Sequence, residues 1–539
     1  MLCAGAAVLT AVAAPRMLAA QRPAVRPSWH EATVGSELEA YLRALQLDSG
    51  AAPVVLTVRP LPPVESQRLA RGARPHPWQA RLGRPDSLPA RGIYWLRPTV
   101  RMVYGSAFPI ESPEDGPVWA GRGATVAAQG GVGFVAGPLH VRFAPVAFRA
   151  QNDAFRLFDE RRAGDARFRD PLEPDYVDYP QRFGAGAYQR FDFGTSEARL
   201  TAFGLTAGVT TAPVGWGPMT AHALLLAGRG TGFPHAFVGT ARPVSIGIGR
   251  VHGALIAGRL EESPVSPVSF SKPYRGAHAF VATFSPRGLD GLELGAARFF
   301  HRPWRGRLGL REDFLLPVRG FLFKAGNIDI DDPTDASFDV QNELASVFGR
   351  WRLTRSGLEL YGEYLRNDAA LDVRDLIVEP DHATGYGLGL RKALARDSVR
   401  RTLVWLEVAN ARITHLDRLR PQARLYQHSQ LVQGHTQRGR LLGSAAGMGG
   451  AGASLGVDHY TPRGRLTADL SRVLRLSSLR EGAASPDSVD VQYALATTAT
   501  LFRGPLDLVG GATVVYELNR DFRRDALGLR LQAGARVGW

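Results

Sequence analysis

The sequence predicts an all-β protein, a transmembrane β-barrel preceded by a small, partly helical unit. Three observations carry this prediction. Apolar and polar residues alternate through most of the chain after Ile93, the period of a strand with two different faces. The alternating runs reach about ten residues or more, the length a tilted strand needs to cross a bilayer. Short turns alternate with long polar loops, such as 151–190 and 413–452, and the chain ends on an aromatic residue, Trp539. A closed barrel meets the demand that every backbone donor and acceptor be paired where no water is available.

The elements follow in order. Residues 1–20, "MLCAGAAVLTAVAAPRMLAA", are short, apolar and rich in Ala, and read as a cleaved signal peptide. They contain the only cysteine, Cys3, so disulfide and thiol chemistry are excluded from the mature chain. Residues 21–91 form the partly helical unit. Its first part, 21–33, is a Pro-rich linker. In "SELEAYLRALQL", Leu38, Tyr41, Leu42 and Leu45 share one helix face, and Ser36 is placed to cap it. "PVVLTVRPLPP" is a short extended piece closed by prolines, and 66–91 is basic and broken by Pro and Gly.

Residues 92–539 are assigned to the barrel. In "ALGLRLQAGARVGW", Leu527, Leu529, Leu531 and Val537 fall on one face, and Arg530, Gln532 and Arg536 on the other. In "DLVGGATVVYEL", Leu508, Val514 and Tyr516 oppose Asp507, Thr513 and Glu517. In "VDVQYALATTATL", Tyr493, Leu495 and Leu501 oppose Asp490, Gln492 and Thr500. Hairpins are expected around Arg355-Ser356-Gly357, around an Arg-Asp turn within 385–412, and at Thr461-Pro462-Arg463-Gly464. The load of 60 glycines and 36 prolines suits turns and close strand packing better than long helices.

The net charge of +15 is carried almost wholly by arginine; Lys272, Lys324 and Lys392 are the only lysines. Such a balance suits nucleic acid, an anionic membrane surface or an acidic polymer, or simply reflects arginines on solvated faces. Arg350, Arg352, Arg530 and Arg536 fall on the polar face of their strands and are expected in the lumen. There they either pair with Glu359, Glu363, Glu407 and Glu517 or create an anion-attracting interior.

No catalytic constellation is legible. There is no G-x-S-x-G elbow and no H-E-x-x-H. His415, His428 and His435 lack zinc spacing. "NIDIDDPTD" (327–335) lacks the turn Gly and closing Glu of a calcium loop. Glu261 and Glu262 are adjacent, so on a strand they point to opposite faces and cannot form a carboxylate pair. No metal and no cofactor is expected.

Three passages carry a resemblance. The first contains Trp216-Gly217-Pro218, the run Leu224-Leu225-Leu226, and Gly232-Phe233-Pro234. The second is "NELASVFGRWRLTRSGLELYGEYLRND". The third contains Tyr426, His428, Gly434, His435, Arg438, Gly439, Arg440, Leu442 and Gly443. Together and in this order they resemble the Wzi family of capsule-assembly proteins. In that family an aromatic is more usual at the place of His435. The resemblance implies an eighteen-stranded outer-membrane barrel with a helical N-terminal part on the periplasmic side. It implies a non-catalytic, lectin-like role, holding capsular or exopolysaccharide at the cell surface.

It also makes Trp216, Gly217, Pro218, Phe233, Pro234, Tyr426, His428, His435, Arg438 and Arg440 candidate structural or ligand-proximal residues. Trp216 is expected to be an interfacial or loop-packing anchor, and Leu224–Leu226 to begin the next membrane-facing strand. His222, His235 and Arg229 are expected to make local hydrogen bonds. Expected partners are the polysaccharide, outer-membrane lipid and lipopolysaccharide. No nucleic acid is expected, and the protein is expected to be a monomer. The alternatives are a porin-like or glycan-export channel with an Arg-lined lumen, and an outer-membrane enzyme. An open lumen would favour the channel; a sealed one favours the binding scaffold.

Overall fold

A computed structural model describes residues 32–82, 91–267, 274–309, 313–318, 341–367, 377–378, 380–412, 424–477 and 489–537. The segment 1–20, the acidic stretch 327–335, His415 and Trp539 lie outside the described residues.

Eighteen antiparallel strands close into a barrel. They are β1 (Arg91–Gly105), β2 (Gly123–Ala136), β3 (Leu139–Phe143 continuing as Val146–Ala150), β4 (Tyr188–Asp192 continuing as Glu197–Ala202), β5 (Leu205–Thr210) and β6 (His235–Thr240 continuing as Val244–Ser245). Next come β7 (Gly249–Glu261), β8 (Tyr274–Pro286), β9 (Leu292–Pro303), β10 (Asn342–Leu353), β11 (Leu358–Asn367) and β12 (Thr384–Arg396). The last six are β13 (Arg401–Asn410), β14 (Ala451–Thr461), β15 (Gly464–Ser477), β16 (Val489–Arg503), β17 (Leu506–Arg520) and β18 (Arg524–Val537). β18 pairs with β1, with Val103 opposite Gln532, and this pairing closes the sheet.

The outer face is apolar. Leu527 and Leu531 of β18, Val514 and Tyr516 of β17, and Tyr493 and Leu495 of β16 are all exposed, while Asp507, Glu517, Asp490 and Arg530 on the alternate positions are buried inside. In water such a surface would be unstable; facing lipid it is the natural one. Exposed aromatics gather near both ends, Tyr104, Tyr386, Tyr493 and Tyr516 at one and Trp95, Phe134 and Trp351 at the other, as interfacial girdles do. Strand β1 shows how strictly the pattern is kept. Ile93 and Trp95 face outward at odd positions, Val100, Met102 and Tyr104 at even ones. The register shifts between Leu96 and Thr99, at Arg97-Pro98. Pro98 has no N–H to give the ladder, so a bulge falls there, and the sequence changes parity with it. Among the described residues no helix is long and apolar enough to cross a membrane.

Two-residue and few-residue turns, such as 137–138, 203–204, 462–463 and 504–505, close one end. The long connections, including 151–187 and 211–234, lie at the other. Long loops mark the extracellular end of such barrels and short turns the periplasmic end.

Residues 32–82 pack into the barrel at the short-turn end. Helix α1 (Glu37–Leu45) begins at Ser36, whose hydroxyl accepts from the Glu39 N–H (3.2 Å), while Glu39 accepts in return from the Gly35 N–H (2.7 Å). Helix α2 (Pro63–Gly72) opens with proline in its first turn, where the missing N–H costs nothing. This helix was not anticipated; the prolines around it read as breakers rather than as a start. Tyr41, Leu42, Leu45, Leu69 and Trp78 form one apolar cluster with Leu403 and Tyr460 of the barrel wall. Arg401 of β13 is fully buried against Asp48 (3.0 Å) and also donates to the Ala44 carbonyl at the C-terminal end of α1 (2.9 Å). Arg350 of β10 joins Gln46 (2.6 Å), Glu293 (2.9 Å) and Glu359 (3.3 Å).

Candidate functional site: a lumen filled from both ends

The connection between β5 and β6 does not project outward. It descends into the barrel and meets the N-terminal segment there. Gly215–Trp216 pairs on one side with Val58–Arg59 and on the other with Leu226–Ala227, a three-stranded sheet enclosed by the wall. Leu224, Leu225 and Leu226 are at most 1% exposed. They pack with Trp216 and Phe233 against Ile256, Ala279, Phe299, Leu344 and Leu365, which face inward from β7 to β11. The expectation that Leu224–Leu226 enter a membrane-facing strand is therefore wrong. Their apolarity serves a core inside the lumen, which a one-dimensional reading cannot tell from a lipid face.

A loop taken into the interior must satisfy its backbone groups without bulk water. Two wall carboxylates take the N–H groups. Glu407 of β13 accepts from the amides of Thr220 (2.8 Å), Ala221 (2.6 Å) and His222 (3.0 Å), and from the hydroxyls of Thr220 (2.7 Å) and Tyr361 (2.9 Å). Glu363 of β11 accepts from the amides of Leu224 (3.0 Å) and Leu225 (3.1 Å) and from Ser346 (3.1 Å). Arg59 takes carbonyls instead, donating to Gly215 (3.3 Å) and Gly217 (3.2 Å), with Glu39 as its counter-ion (3.2 Å). Gly217 has φ +89°, where a side chain is strained, and a Cβ there would stand 3.4 Å from the Glu363 carboxylate.

The expected pairing of lumen arginines with wall acids thus holds for some groups only. Glu359 meets Arg350 and Arg391 (3.1 Å), and Glu517 meets Arg475 (2.5 Å) and Arg520 (2.6 Å). Glu363 and Glu407 are committed to the loop backbone. Arg530 pairs with Asp115 of the β1–β2 connection (2.6 Å), not with a strand acid.

Residues 424–450, between β13 and β14, fold inward as well. Tyr426 is fully buried and donates its hydroxyl to the Leu224 carbonyl. Gly443 and Gly447 lie against its ring so closely that a Cβ at either would overlap it. Gly443→Ala is expected to lower stability by about 1–3 kcal/mol through overpacking. Chemical unfolding of the refolded barrel measures this, and an unchanged midpoint would refute it.

His435 sits where the resembling family more usually has an aromatic, and it packs like one, 5.1 Å edge-on from Phe299 and 5.2 Å from Tyr426. It also hydrogen-bonds the Leu225 carbonyl through Nε2 (2.7 Å) and His301 through Nδ1 (2.8 Å). The carbonyl requires a proton on Nε2, so Nδ1 accepts from His301 and the ring is neutral. Burial holds its pKa down to about 4, against 6.5 for a free ring. The unfolded chain takes up the extra proton between these values. Stability is therefore full above pH 6.5 and falls as pH drops to about 4, by up to roughly 3 kcal/mol. Comparing unfolding of wild type and His435→Gln across that window tests this; equal pH slopes would sink it.

Of the remaining predicted residues, Arg438 joins Asp192 (2.8 Å) and Glu261 (2.5 Å), and Arg440 joins Glu111 (3.3 Å) and the Val118 carbonyl (2.9 Å). Arg438 thus ties the inward 424–450 segment to wall strands β4 and β7, and Arg440 ties it to the β1–β2 connection. His428 Nδ1 accepts from the amides of Gln430 (3.2 Å) and Leu431 (3.1 Å), apart from this cluster. Pro218 follows Gly217 in the inward turn, and Pro234 precedes β6. His235 bonds locally as expected, to the Phe233 carbonyl (2.7 Å), whereas His222 reaches across to Ser454 of β14 (2.8 Å). Arg229 does not. It makes no hydrogen bond among the described residues and lines a lumenal cavity of about 270 Å³ with Arg97, Arg101, Arg142 and Arg536. That cavity lies between the N-terminal segment, the β1–β2 connection and the wall. Among the described residues no cluster of His, Cys, Asp and Glu is arranged to hold a metal ion.

Sequence reasoning missed Glu363 and Glu407 as loop anchors and Arg59 as the carbonyl clamp. No local signal marks them, because their partners lie more than a hundred residues away.

These features define a transmembrane β-barrel whose lumen is occupied by its own chain. Its fold is that of Wzi, an Escherichia coli outer-membrane protein involved in group 1 capsule assembly and described as a carbohydrate-binding β-barrel. The two chains are 14% identical and superpose with a TM-score of 0.64 over 94% of this chain and 99% of that one. OccK5 of Pseudomonas aeruginosa (TM-score 0.38, 10% identity, 82% and 97% covered) and a BenF-like porin of Pseudomonas fluorescens Pf-5 (0.39, 9%, 83% and 99%) are more distant barrels. No protein-family model and no curated protein matches the chain.

Proposed function

We propose that this protein is a non-catalytic outer-membrane scaffold that binds an exported polysaccharide and anchors or organises it at the cell surface. One observation carries the reading. The lumen is filled by residues 32–82 from one end and by 211–234 and 424–450 from the other, and these segments hydrogen-bond to each other and to the wall. A channel needs an open path; a scaffold that displays loops needs a rigid one. The shared fold with a carbohydrate-binding barrel supports the same choice. In this reading residues 1–20 are an export signal, and residues 21–91 form a periplasmic plug. The extracellular loops present arginines and aromatics to the glycan, guanidinium groups pairing with acidic sugars and rings stacking on sugar faces. Trp216, Phe233, Tyr426, His435, Arg438 and Arg440 act on the glycan indirectly, by fixing the inward loops.

Deleting the gene is expected to move polysaccharide from the cells into the medium. Unchanged retention would overturn the anchoring role. The purified barrel is expected to be nearly silent in planar bilayers, and steady conductance would favour the channel instead.

A further inference from the structure

The extracellular end carries a groove of about 450 Å³ between the β1–β2 connection, the β3–β4 connection and the β17–β18 turn. Arg122, Arg156, Arg523 and Arg524 line it, and none of the four pairs with a carboxylate among the described residues. This is unlike the interior, where Arg350, Arg401, Arg475 and Arg530 each meet an acid within 3.0 Å. The acids of the groove are already committed. Asp521 binds Arg475 (2.7 Å), and Asp525 accepts from Tyr516 (2.6 Å) and the Asn519 amide (3.1 Å).

Two of the four, Arg122 and Arg523, are held in place by neutral groups. Arg122 donates to the carbonyls of Ser106 (3.2 Å) and Ala154, and Arg523 to that of Phe158 (2.9 Å). The turn that carries Arg523 is itself fixed in an uncommon shape. Asn519, Asp521 and Phe522 have φ of 52°, 56° and 56°, and the Phe522 ring packs edge-on against Phe158 at 6.0 Å. Guanidinium forks fixed through carbonyls keep their charge and remaining donors for an anion from outside.

The position selects the anion. Leu527, 66% exposed, lines the same groove from the outer face of β18. Below it run the lipid-facing Leu531 of β18 and Val514 and Tyr516 of β17. The groove therefore opens where the apolar band begins. We infer that it binds the phosphorylated headgroup of an outer-leaflet amphiphile, whose acyl chains lie along β17 and β18. The inference rests on the barrel's orientation in the membrane and does not depend on the glycan-anchoring role.

The test uses the full-length barrel in detergent micelles and a diphosphorylated, hexa-acylated glycolipid as probe. Binding is compared with that of the dephosphorylated glycolipid, inorganic phosphate and an acidic oligosaccharide without acyl chains. Arg523→Gln/Arg524→Gln is compared with Arg463→Gln, an exposed arginine in a turn at the opposite end; retained heat-modifiable gel mobility shows that each variant is folded. The diphosphorylated glycolipid is expected to bind well above the other three probes. Its affinity is expected to fall about tenfold or more in the double variant and to stay unchanged in Arg463→Gln. Equal binding of the dephosphorylated form, or by the double variant, overturns the site. Equal binding of inorganic phosphate overturns the amphiphile, and equal binding of the oligosaccharide assigns the groove to the glycan instead.

Discussion

Glu407→Ala is expected to release the inward 211–234 segment and to open the barrel to ions. The substitution removes the acceptor of three consecutive backbone amides, Thr220, Ala221 and His222, and of the Tyr361 hydroxyl. Each buried donor left without a partner costs about 1–3 kcal/mol, so a total loss of about 3–5 kcal/mol is expected after relaxation. The loop can regain hydration only by leaving the lumen, so destabilisation and conductance should appear together. Chemical unfolding of the refolded barrel and single-channel recording read the two effects. Glu407→Gln keeps one acceptor oxygen but turns an NH₂ group toward the donors, so it should fall between wild type and alanine. Wild-type stability with silent bilayers for the alanine variant would show that the carboxylate is not the anchor.

The second large effect is expected at Arg401. Both it and Asp48 are 0% exposed, and the pair joins the barrel wall to the N-terminal segment. Arg401→Met leaves a buried carboxylate without its counter-ion and the Ala44 carbonyl without its donor. Breaking one half of such a pair costs about 3–5 kcal/mol. Removing both charges, as in Asp48→Leu with Arg401→Met, should restore much of that, because the desolvation penalty disappears with the charges. The segment 32–82 should become accessible to protease in the single variant and less so in the double one. Protease resistance of the single variant equal to wild type would refute the role of the pair.

Much of the wall was legible because each strand repeats one rule locally. Leu527, Leu531, Val514 and Tyr516 are apolar because they face lipid, and Arg530, Asp507 and Glu517 alternate with them because they face inward. Turns such as Thr461–Gly464 announce themselves by their residues. Even the capped start of α1 at Ser36 is a local signal. The filling of the lumen was not legible. Leu224–Leu226 carry the same apolar signature as a lipid-facing strand, and Glu363 and Glu407 look like any other inward acids on their strands. The arginines of the extracellular groove show no pattern in the sequence, since Arg122, Arg156 and Arg523 come from three separate connections.

The sequence by itself determined the class of fold and the inside and outside of the wall, because strand pleat and membrane act residue by residue with a period of two. Tertiary structure alone decided what occupies the interior. The partners of Glu407, Arg59 and Tyr426 lie across the barrel, and only closure brings them within hydrogen-bond reach. Whether an apolar or charged residue meets lipid, glycan or another loop is a matter of where closure puts it, and composition and spacing do not encode that.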